Sequence, residues 1–246
     1  MPAQSVSVET VSVETVCRVN SPLPLPEEKA AMVEAMFDRI APGYERVNRY
    51  ISFGQDRRWR DRTVRALALP KGSVILDLAC GTGDLCRDLQ SAGFTPIGID
   101  FSAGMLSNAK TTAPLVRADA LRLPIPSATV DGITCGFALR NFTGLEPFFA
   151  ECARVLRPGG RAAFLDPAKP NSAIARIGNE IWFHRVVPLI GAALGDAEAY
   201  RYLPASTAYL PEPEVLLAMA RSAGFKDLKR TTMTLGSVQL IEGTRS

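Results

Sequence analysis

Short apolar runs and segments with helical periodicity alternate along most of the chain. Val74–Leu78 is an apolar run broken once by Asp77, which is typical of a strand buried on both faces of a sheet. Further strands are predicted at residues 96–99, 115–118, 132–136, 161–165, 226–233 and 237–242. Alternation of these strands with helices predicts a doubly wound, mostly parallel α/β sheet.

Helical periodicity occupies the segments between and around these strands. It covers residues 27–41, 56–69, 103–109, 146–156, 173–194 and 212–223. We expect one domain over residues 27–246, with a helical lid at 27–69 and a helical insertion at 171–211, before the last strands. Residues 1–26 hold a tandem VSVET repeat and alternating prolines, which favour a flexible tail, although an edge strand stays open.

Length and composition exclude several classes of protein. With 246 residues and 47% hydrophobic content, the chain can bury one substantial core. The formal charge of +3 is spread among acidic residues, which argues against a nucleic-acid partner. No apolar run reaches the roughly 18 residues of a membrane-spanning helix, and no secretion signal is evident. Five cysteines without zinc-type spacing predict reduced thiols, a cytoplasmic protein and no metal.

A glycine-rich turn directly follows the first predicted strand. It spans Asp77–Asp84 (DLACGTGD) and precedes a helix, at the sheet edge where open α/β folds bind ligands. Glycine lets the backbone approach a ligand closely. A plain tight turn is an alternative, and so is a dinucleotide fingerprint, although the third glycine of that fingerprint is absent here.

Carboxylates follow the next two predicted strands. Asp100 ends the second strand, where it can accept hydrogen bonds from both hydroxyls of a ribose. The N-cap of the helix that begins near Ser102 is its alternative role. Asp119 follows the third strand. A carboxylate at the position of Asp100 indicates adenosine, without separating nicotinamide cofactors from other adenosine ligands.

In this order and spacing, the three elements resemble the motif series of class I S-adenosylmethionine-dependent methyltransferases. The resemblance implies a seven-stranded, Rossmann-like sheet and S-adenosylmethionine as the cofactor. Asp100 would hold the ribose, Asp119 would face the adenine amino group, and Thr82 would contact the methionine part with the glycines. The implied cofactor site comprises Asp77, Gly81, Thr82, Gly83, Asp100, Phe101, Asp119, Ala120 and Gly136.

Longer segments resemble the menaquinone/ubiquinone biosynthesis C-methyltransferase family. They are residues 36–48 (MFDRIAPGYERVN), 52–60 (SFGQDRRWR), 136–141 (GFALRN) and 200–206 (YRYLPAS). The resemblance implies methylation of a ring carbon of a prenylated quinol, above all demethylmenaquinol, with this small lipophilic molecule as the partner. The chain departs from the family pattern at Glu45, Gly136, Ala138, Asp166–Pro170 and around Gly236. Another phenolic or isoprenoid acceptor therefore stays open, as does a protein that binds S-adenosylmethionine without transferring its methyl group.

The same resemblance implies an acceptor site of Arg140, Asn141 and Tyr44. Arg140 stays protonated, so it can stabilise a phenolate or orient a water, and Asn141 can fix either group by hydrogen bonding. Tyr44 is expected over the cofactor once the lid closes. Alternatively, Arg140 and Asn141 lie in a solvated loop and Tyr44 is an ordinary half-buried side chain.

Two further features allow more than one interpretation. Asp38 is either a base or the ion-pair partner of Arg39 or Arg60, and the single histidine, His184, favours a packed or surface role. The insertion has a broad apolar surface between Ile174 and Ile190. This surface would roof a pocket for a prenyl tail, touch the inner face of the membrane as a peripheral contact, join two copies as a homodimer or extend the core.

Overall fold

Seven strands form a single sheet in the part of the chain that the computed structural model describes, which is residues 26–170, 172–187, 199, 202 and 205–246. The strands are β1 Val74–Leu78, β2 Thr95–Asp100, β3 Leu115–Arg117, β4 Val130–Gly136, β5 Leu156–Pro167, β6 Phe225–Met233 and β7 Val238–Arg245. Their order across the sheet is β3-β2-β1-β4-β5-β7-β6, and only β7 runs antiparallel to its neighbours. From β1 the chain builds the sheet outwards through β2 and β3, and from β4 it builds the sheet in the opposite direction. The connections after β1 and β4 therefore diverge, and a crevice forms at the carboxyl ends of these two strands.

Helices flank the sheet and cover its carboxyl edge. They are α1 Pro26–Ile40, α2 Tyr44–Ile51, α3 Asp56–Ala66, α4 Asp84–Ser91, α5 Ala103–Ser107, α6 Leu145–Val155, α7 Ala173–Ile181 and α8 Pro213–Ser222. Short 3-10 turns at Leu139–Asn141 and Ser206–Tyr209 border the crevice. The predicted doubly wound α/β class is confirmed.

Three predicted boundaries need comment. The strand predicted at 161–165 begins earlier in the structure, at Leu156. Residues 157–160 form a bulge at the point where the pairing with β4 shifts. The helix predicted at 173–194 ends as α7 at Ile181 and continues as a π-helical segment, Trp182–Val186, while residues 188–198 lie outside the described residues. Of the tail predicted at 1–26, residues 1–25 also lie outside the described residues.

Two apolar layers hold the sheet, and a third cluster covers its carboxyl edge. One face packs against α6 and α8 through aromatic side chains such as Phe148 and Phe225. The other face packs against α3 and α4 through residues such as Leu67 and Leu89. Helices α1 and α2, here called the lid helices, instead pack on Met105 and on described residues of the insertion. The lid helices therefore roof the crevice, whereas α3 belongs to a layer of the sheet.

None of the described helices combines the length and the apolar character needed to cross a membrane. The cysteines whose positions are described are free thiols, as predicted from their spacing. They are Cys80, Cys86, Cys135 and Cys152.

Candidate active site

The turn between β1 and α4 presents bare backbone to the crevice at Gly81. Gly81 has a φ of +54°, and a Cβ built there would meet no atom closer than the Tyr44 ring and the Met105 sulfur, both at 3.9 Å. Gly83, with a φ of +83°, precedes α4 and faces Thr111, whose Cγ2 would lie 2.7 Å from an added Cβ. Gly81 therefore borders open space, and Gly83 is explained by packing. The structure places Gly83 outside the linings of the two cavities described at this edge.

Asp77 lies beneath this turn and lines the larger of the two cavities. Its carboxylate is fully buried and accepts hydrogen bonds from Thr134 Oγ1 at 2.9 Å and Cys86 Sγ at 3.3 Å. Burial raises the pKa of Asp77 to about 7, because the ionised form loses its hydration. A cationic ligand group beside Asp77 would favour the ionised form again, so this position suits a positively charged ligand.

Asp100 holds the turn and keeps acceptor capacity for a ligand. Its Oδ2 accepts from the Gly81 N–H at 2.7 Å, and its Oδ1 accepts from the Ser102 N–H at 2.8 Å. A carboxylate offers about four acceptor positions in all, so Asp100 retains acceptor capacity beyond these backbone contacts. Burial raises the pKa of Asp100. The N-cap alternative is wrong, because Ser102 Oγ itself accepts from the Met105 N–H at 3.0 Å.

A smaller cavity of about 140 Å³ lies beside Asp100, at the ends of β2 and β3. Phe101, Asp119 and Ala120, which the sequence analysis placed in the cofactor site, also line it. Phe101 is 44% exposed at its mouth, and Asp119 Oδ1 accepts from the Leu121 N–H at 2.9 Å. The cavity thus combines apolar walls with the two carboxylates, Asp100 and Asp119, that the sequence analysis assigned to the ribose and the adenine.

Tyr44 lies between this smaller cavity and a larger one of about 550 Å³, and it lines both. Its half-buried ring meets Phe37 edge-on, with centroids 6.0 Å apart. Burial raises the pKa of the Tyr44 hydroxyl, while the charge of Arg140 acts in the opposite direction. Gly136 also lines both cavities, and Thr82 lines the larger one. A ligand extended past Tyr44 would thus reach from one cavity into the other.

Arg140 lines the larger cavity, in the 3-10 turn after β4. Only 6% exposed, it donates from Nη1 to Asp166 Oδ1 at 3.0 Å and to the Phe137 carbonyl at 2.6 Å, and from Nε to Ser206 Oγ at 3.1 Å. Nη2 has no hydrogen bond to a described residue. Asp166 also accepts from the Leu139 N–H at 2.7 Å, and burial raises its pKa to about 6 although the Arg140 charge opposes this. The guanidinium is thus held rigidly, and the solvated-loop alternative is wrong for it.

Asn141 faces the other cavity. It lines the smaller one, and its Oδ1 accepts from the Tyr202 hydroxyl at 3.4 Å. The structure therefore separates two neighbours that the sequence placed together: Arg140 borders the larger cavity and Asn141 the smaller one. Adjacent residues in a tight 3-10 turn point in different directions, which is the physical reason for this split.

Asp38 fastens the first lid helix to the sheet edge. Its Oδ1 accepts from Ser102 Oγ at 2.5 Å and from the Gly104 N–H at 2.8 Å. The hydrogen bond from Ser102 is the main reason that the pKa of Asp38 is lowered. Arg60 instead forms ion pairs with Asp56 on its own helix and with Asp88 on α4. Asp38 thus anchors the first lid helix to the sheet edge by hydrogen bonds. Its partners could not be predicted from the sequence, because they lie 64 and 66 residues away.

Two more polar contacts that hold the lid helices in place were not predicted from the sequence. Lys29 Nζ donates to the Phe142 carbonyl at 2.8 Å and lies 3.8 Å from the centroid of the Tyr209 ring, and burial lowers its pKa to about 8. On α2, Glu45 accepts from Lys110 at 2.9 Å and from an arginine on α4 at 3.2 Å. In the sequence, Lys29 and Glu45 occupy helix positions that are typical of solvent-exposed charges, so these partners could not be predicted.

The sheet order with an antiparallel β7, the glycine turn after β1 and the carboxylates after β2 and β3 define the class I methyltransferase fold. Haemonchus contortus phosphoethanolamine N-methyltransferase 2, solved in complex with S-adenosylhomocysteine, shares it with a TM-score of 0.61 at 14% identity. The match covers 81% of this chain and 56% of that longer chain.

The chain belongs to the ubiE/COQ5 methyltransferase family, whose profile matches residues 25–245. A demethylmenaquinone methyltransferase of Roseiflexus sp. (strain RS-1) is 40% identical over 231 residues, which cover 91% of this chain and 97% of that protein. Its counterpart in Thermus thermophilus is 41% identical over 222 residues, which cover 85% of this chain and 100% of that protein. The family inferred from the motifs is confirmed.

Proposed function

We propose that the protein transfers the methyl group of S-adenosylmethionine to a ring carbon of a prenylated quinol, with demethylmenaquinol as its acceptor. The observation that carries this proposal is the cavity of about 550 Å³ beside the glycine turn, which lies next to the smaller cavity and offers room for a second reactant. The names of the 40% and 41% identical relatives support the choice of a quinol.

The cofactor would lie across Tyr44. Its adenosine would occupy the smaller cavity, where Asp100 would hold the ribose hydroxyls and Asp119 the adenine. Its methionine part would continue into the larger cavity, where Asp77 would hold the ammonium group. Bound in this way, S-adenosylmethionine supplies a methyl group on a sulfonium and leaves as S-adenosylhomocysteine.

The protein's part in the transfer is alignment, exclusion of water and control of one negative charge. The acceptor ring gives its phenolic proton to water, and its carbon would form a bond to the methyl group as the carbon–sulfur bond breaks. Water then takes the proton on that ring carbon, which restores the aromatic ring as a phenolate, and the phenolate oxygen takes up one proton to give the methylated quinol, so one proton is released overall. Arg140 directs Nη2 at the phenolate oxygen, while its other nitrogens stay fixed by Asp166 and Ser206. Because prenylated quinols partition into bilayers, the proposal also implies that the protein contacts a membrane surface peripherally when it takes up its acceptor.

Labelled S-adenosylmethionine and a panel of acceptors test the proposal directly. The purified protein is incubated with demethylated quinols, with simple phenols and without acceptor, and the extracted products are separated. We expect label in the quinol products. Label only in a simple phenol would replace the quinol as acceptor, and cofactor binding without any labelled product would contradict the enzymatic proposal.

A further inference from the structure

Helix α7 presents two different faces beside the larger cavity. Arg176, Asn179 and Glu180 line the cavity. Ile174, Ile177 and Ile181 occupy another face, because they recur at intervals of three and four residues. These isoleucines are 84%, 58% and 50% exposed. The helix thus walls the cavity on one side and leaves a row of large apolar side chains uncovered on the other.

The end of α2 extends this apolar surface. Phe53 is 71% exposed and stacks on Trp182, with ring centroids 4.3 Å apart. Trp182 Nε1 also donates to the Ile51 carbonyl at 3.1 Å, so the segment after α7 is joined to the end of α2. Tyr50 adds a side chain that is 61% exposed. We call this exposed apolar surface the docking face; it consists of Tyr50, Phe53, Ile174, Ile177 and Ile181.

Positive charge lies beside this docking face on α2 and α3. Arg46 is four residues before Tyr50 on α2, Arg49 is its exposed neighbour in the chain, and Arg57 and Arg58 are exposed at the start of α3. These four arginines form no ion pair with a described residue. Of the acids on these helices, Glu45 pairs with Arg87 and Lys110, and Asp56 pairs with Arg60. Asp61 on α3 and Glu180 on α7 are exposed and form no ion pair with a described residue, so they offset two of the four arginine charges. The exposed rim keeps a net positive charge, which is complementary to anionic lipid.

We propose that the docking face binds the surface of an anionic bilayer and places the mouth of the larger cavity against it. This inference rests on the proposed function, because a lipid-soluble quinol would then pass from the bilayer into the cavity without crossing water. Residues next to the docking face line the cavity from both segments: Ile51 and Ser52 from the first, and Arg176 and Glu180 from the second. A shallow amphipathic contact with a basic rim is the recognised form of peripheral membrane binding.

Vesicle sedimentation of the full chain tests this proposal. The vesicles contain phosphatidylcholine alone or roughly equal parts of phosphatidylcholine and phosphatidylglycerol. The apolar variant carries Phe53→Ser, Ile177→Ser and Ile181→Ser, none of which lines the larger or the smaller cavity. Its matched control carries Val215→Ser and Leu235→Ser, which change apolar side chains that are 47% and 84% exposed elsewhere on the molecule.

We expect the parent and the control to bind anionic vesicles, and the apolar variant to bind at least about tenfold more weakly. Arg46→Gln with Arg49→Gln should weaken binding to anionic vesicles by about fivefold per arginine, with little change on neutral ones. Equal binding by the apolar variant and the parent would overturn the proposal. Light scattering of both proteins provides another contradiction: a parent dimer that the apolar variant dissociates, with vesicle binding unchanged, would make this face a contact between two copies.

Failure of this inference is distinguishable from failure of the proposed function. Sedimentation uses neither quinol nor cofactor, so it reports only on the docking face. Turnover of a short-tailed, water-soluble demethylated quinol reports only on the active site, and the apolar variant should retain it. Turnover without vesicle binding would overturn the docking face alone, and vesicle binding without turnover would overturn the quinol proposal alone.

Discussion

The smaller and the larger cavity are constructed in different ways. The smaller one takes two of its carboxylates, Asp100 and Asp119, from the ends of adjacent parallel strands. Backbone N–H groups of the following residues or of the neighbouring glycine turn orient these carboxylates. The larger one is lined by segments from residue 44 to residue 239, and Arg140 there depends on a buried carboxylate and a serine from other segments. Cofactor recognition is thus local to the sheet edge, whereas acceptor recognition is assembled from distant parts of the chain.

The largest effect that should separate the two cavities comes from Arg140→Ala. We expect turnover to fall by roughly 100- to 1000-fold, because a donor to the developing phenolate is lost. Affinity for S-adenosylmethionine should stay within a few-fold of the parent value. The melting temperature should fall as well, since Asp166 keeps its burial and loses its cation, at a cost of about 3 to 5 kcal/mol. Single-turnover kinetics, cofactor titration and thermal unfolding measure these three quantities.

Arg140→Lys separates the catalytic from the structural part of that effect. A lysine keeps a cation near Asp166 but lacks the planar fork, so it should recover stability more than turnover. Full turnover in Arg140→Ala would remove this residue from the acceptor site. A loss of cofactor affinity as large as the loss of turnover would move it to the cofactor side.

The next largest effect belongs to the smaller cavity. Asp100→Ala should weaken cofactor binding by more than tenfold, because hydrogen bonds to a charged group are lost at about 1.5 to 3 kcal/mol each. Asp119→Ala should cost less, since its exposed carboxylate would meet only the adenine edge, and analogues without the adenine amino group should then bind as well as the parent ligand. Calorimetry measures both. Unchanged affinity in Asp100→Ala would exclude it from the ribose site.

A moderate, pH-dependent effect should come from Asp77, which lines the larger cavity beneath the glycine turn. Its folded-state pKa of about 7 lies above the ordinary value of 3.8, so the stability it contributes at low pH is lost as the pH rises through 7. Asp77→Asn should remove this loss and flatten the fall in stability between pH 4 and 8. Cofactor affinity should rise through pH 7 in the parent only, if an ammonium pairs with the ionised carboxylate. Parallel pH profiles for both proteins would contradict this.

The smallest effect is expected outside both cavities. Deleting residues 1–25 should leave turnover and melting temperature nearly unchanged, because the repetitive sequence offers little apolar surface to bury. Activity assays and thermal unfolding of the shortened chain measure this. A large loss in either would favour the alternative in which the alternating valines form a strand.

The cofactor side was largely predictable from the sequence and the acceptor side was not. Asp100 and Asp119 follow strands whose carboxyl ends must meet at one edge, so their proximity follows from strand order alone. Asp166 and Ser206 lie 26 and 66 residues from Arg140, and no local periodicity relates such positions. The packing of Gly83 against Thr111 was not predictable for a similar reason, because it depends on how a later loop packs.

A crystal structure of the full chain with S-adenosylhomocysteine tests most directly whether Tyr44 divides a cofactor cavity from an acceptor cavity. We expect the adenine beside Phe101 and Asp119, the ribose hydroxyls on Asp100, and the homocysteine sulfur at the Tyr44 boundary with its ammonium toward Asp77. The rest of the larger cavity, including Arg140 Nη2, should remain clear of the cofactor. Adenine in the larger cavity, or homocysteine in contact with Arg140, would contradict this division.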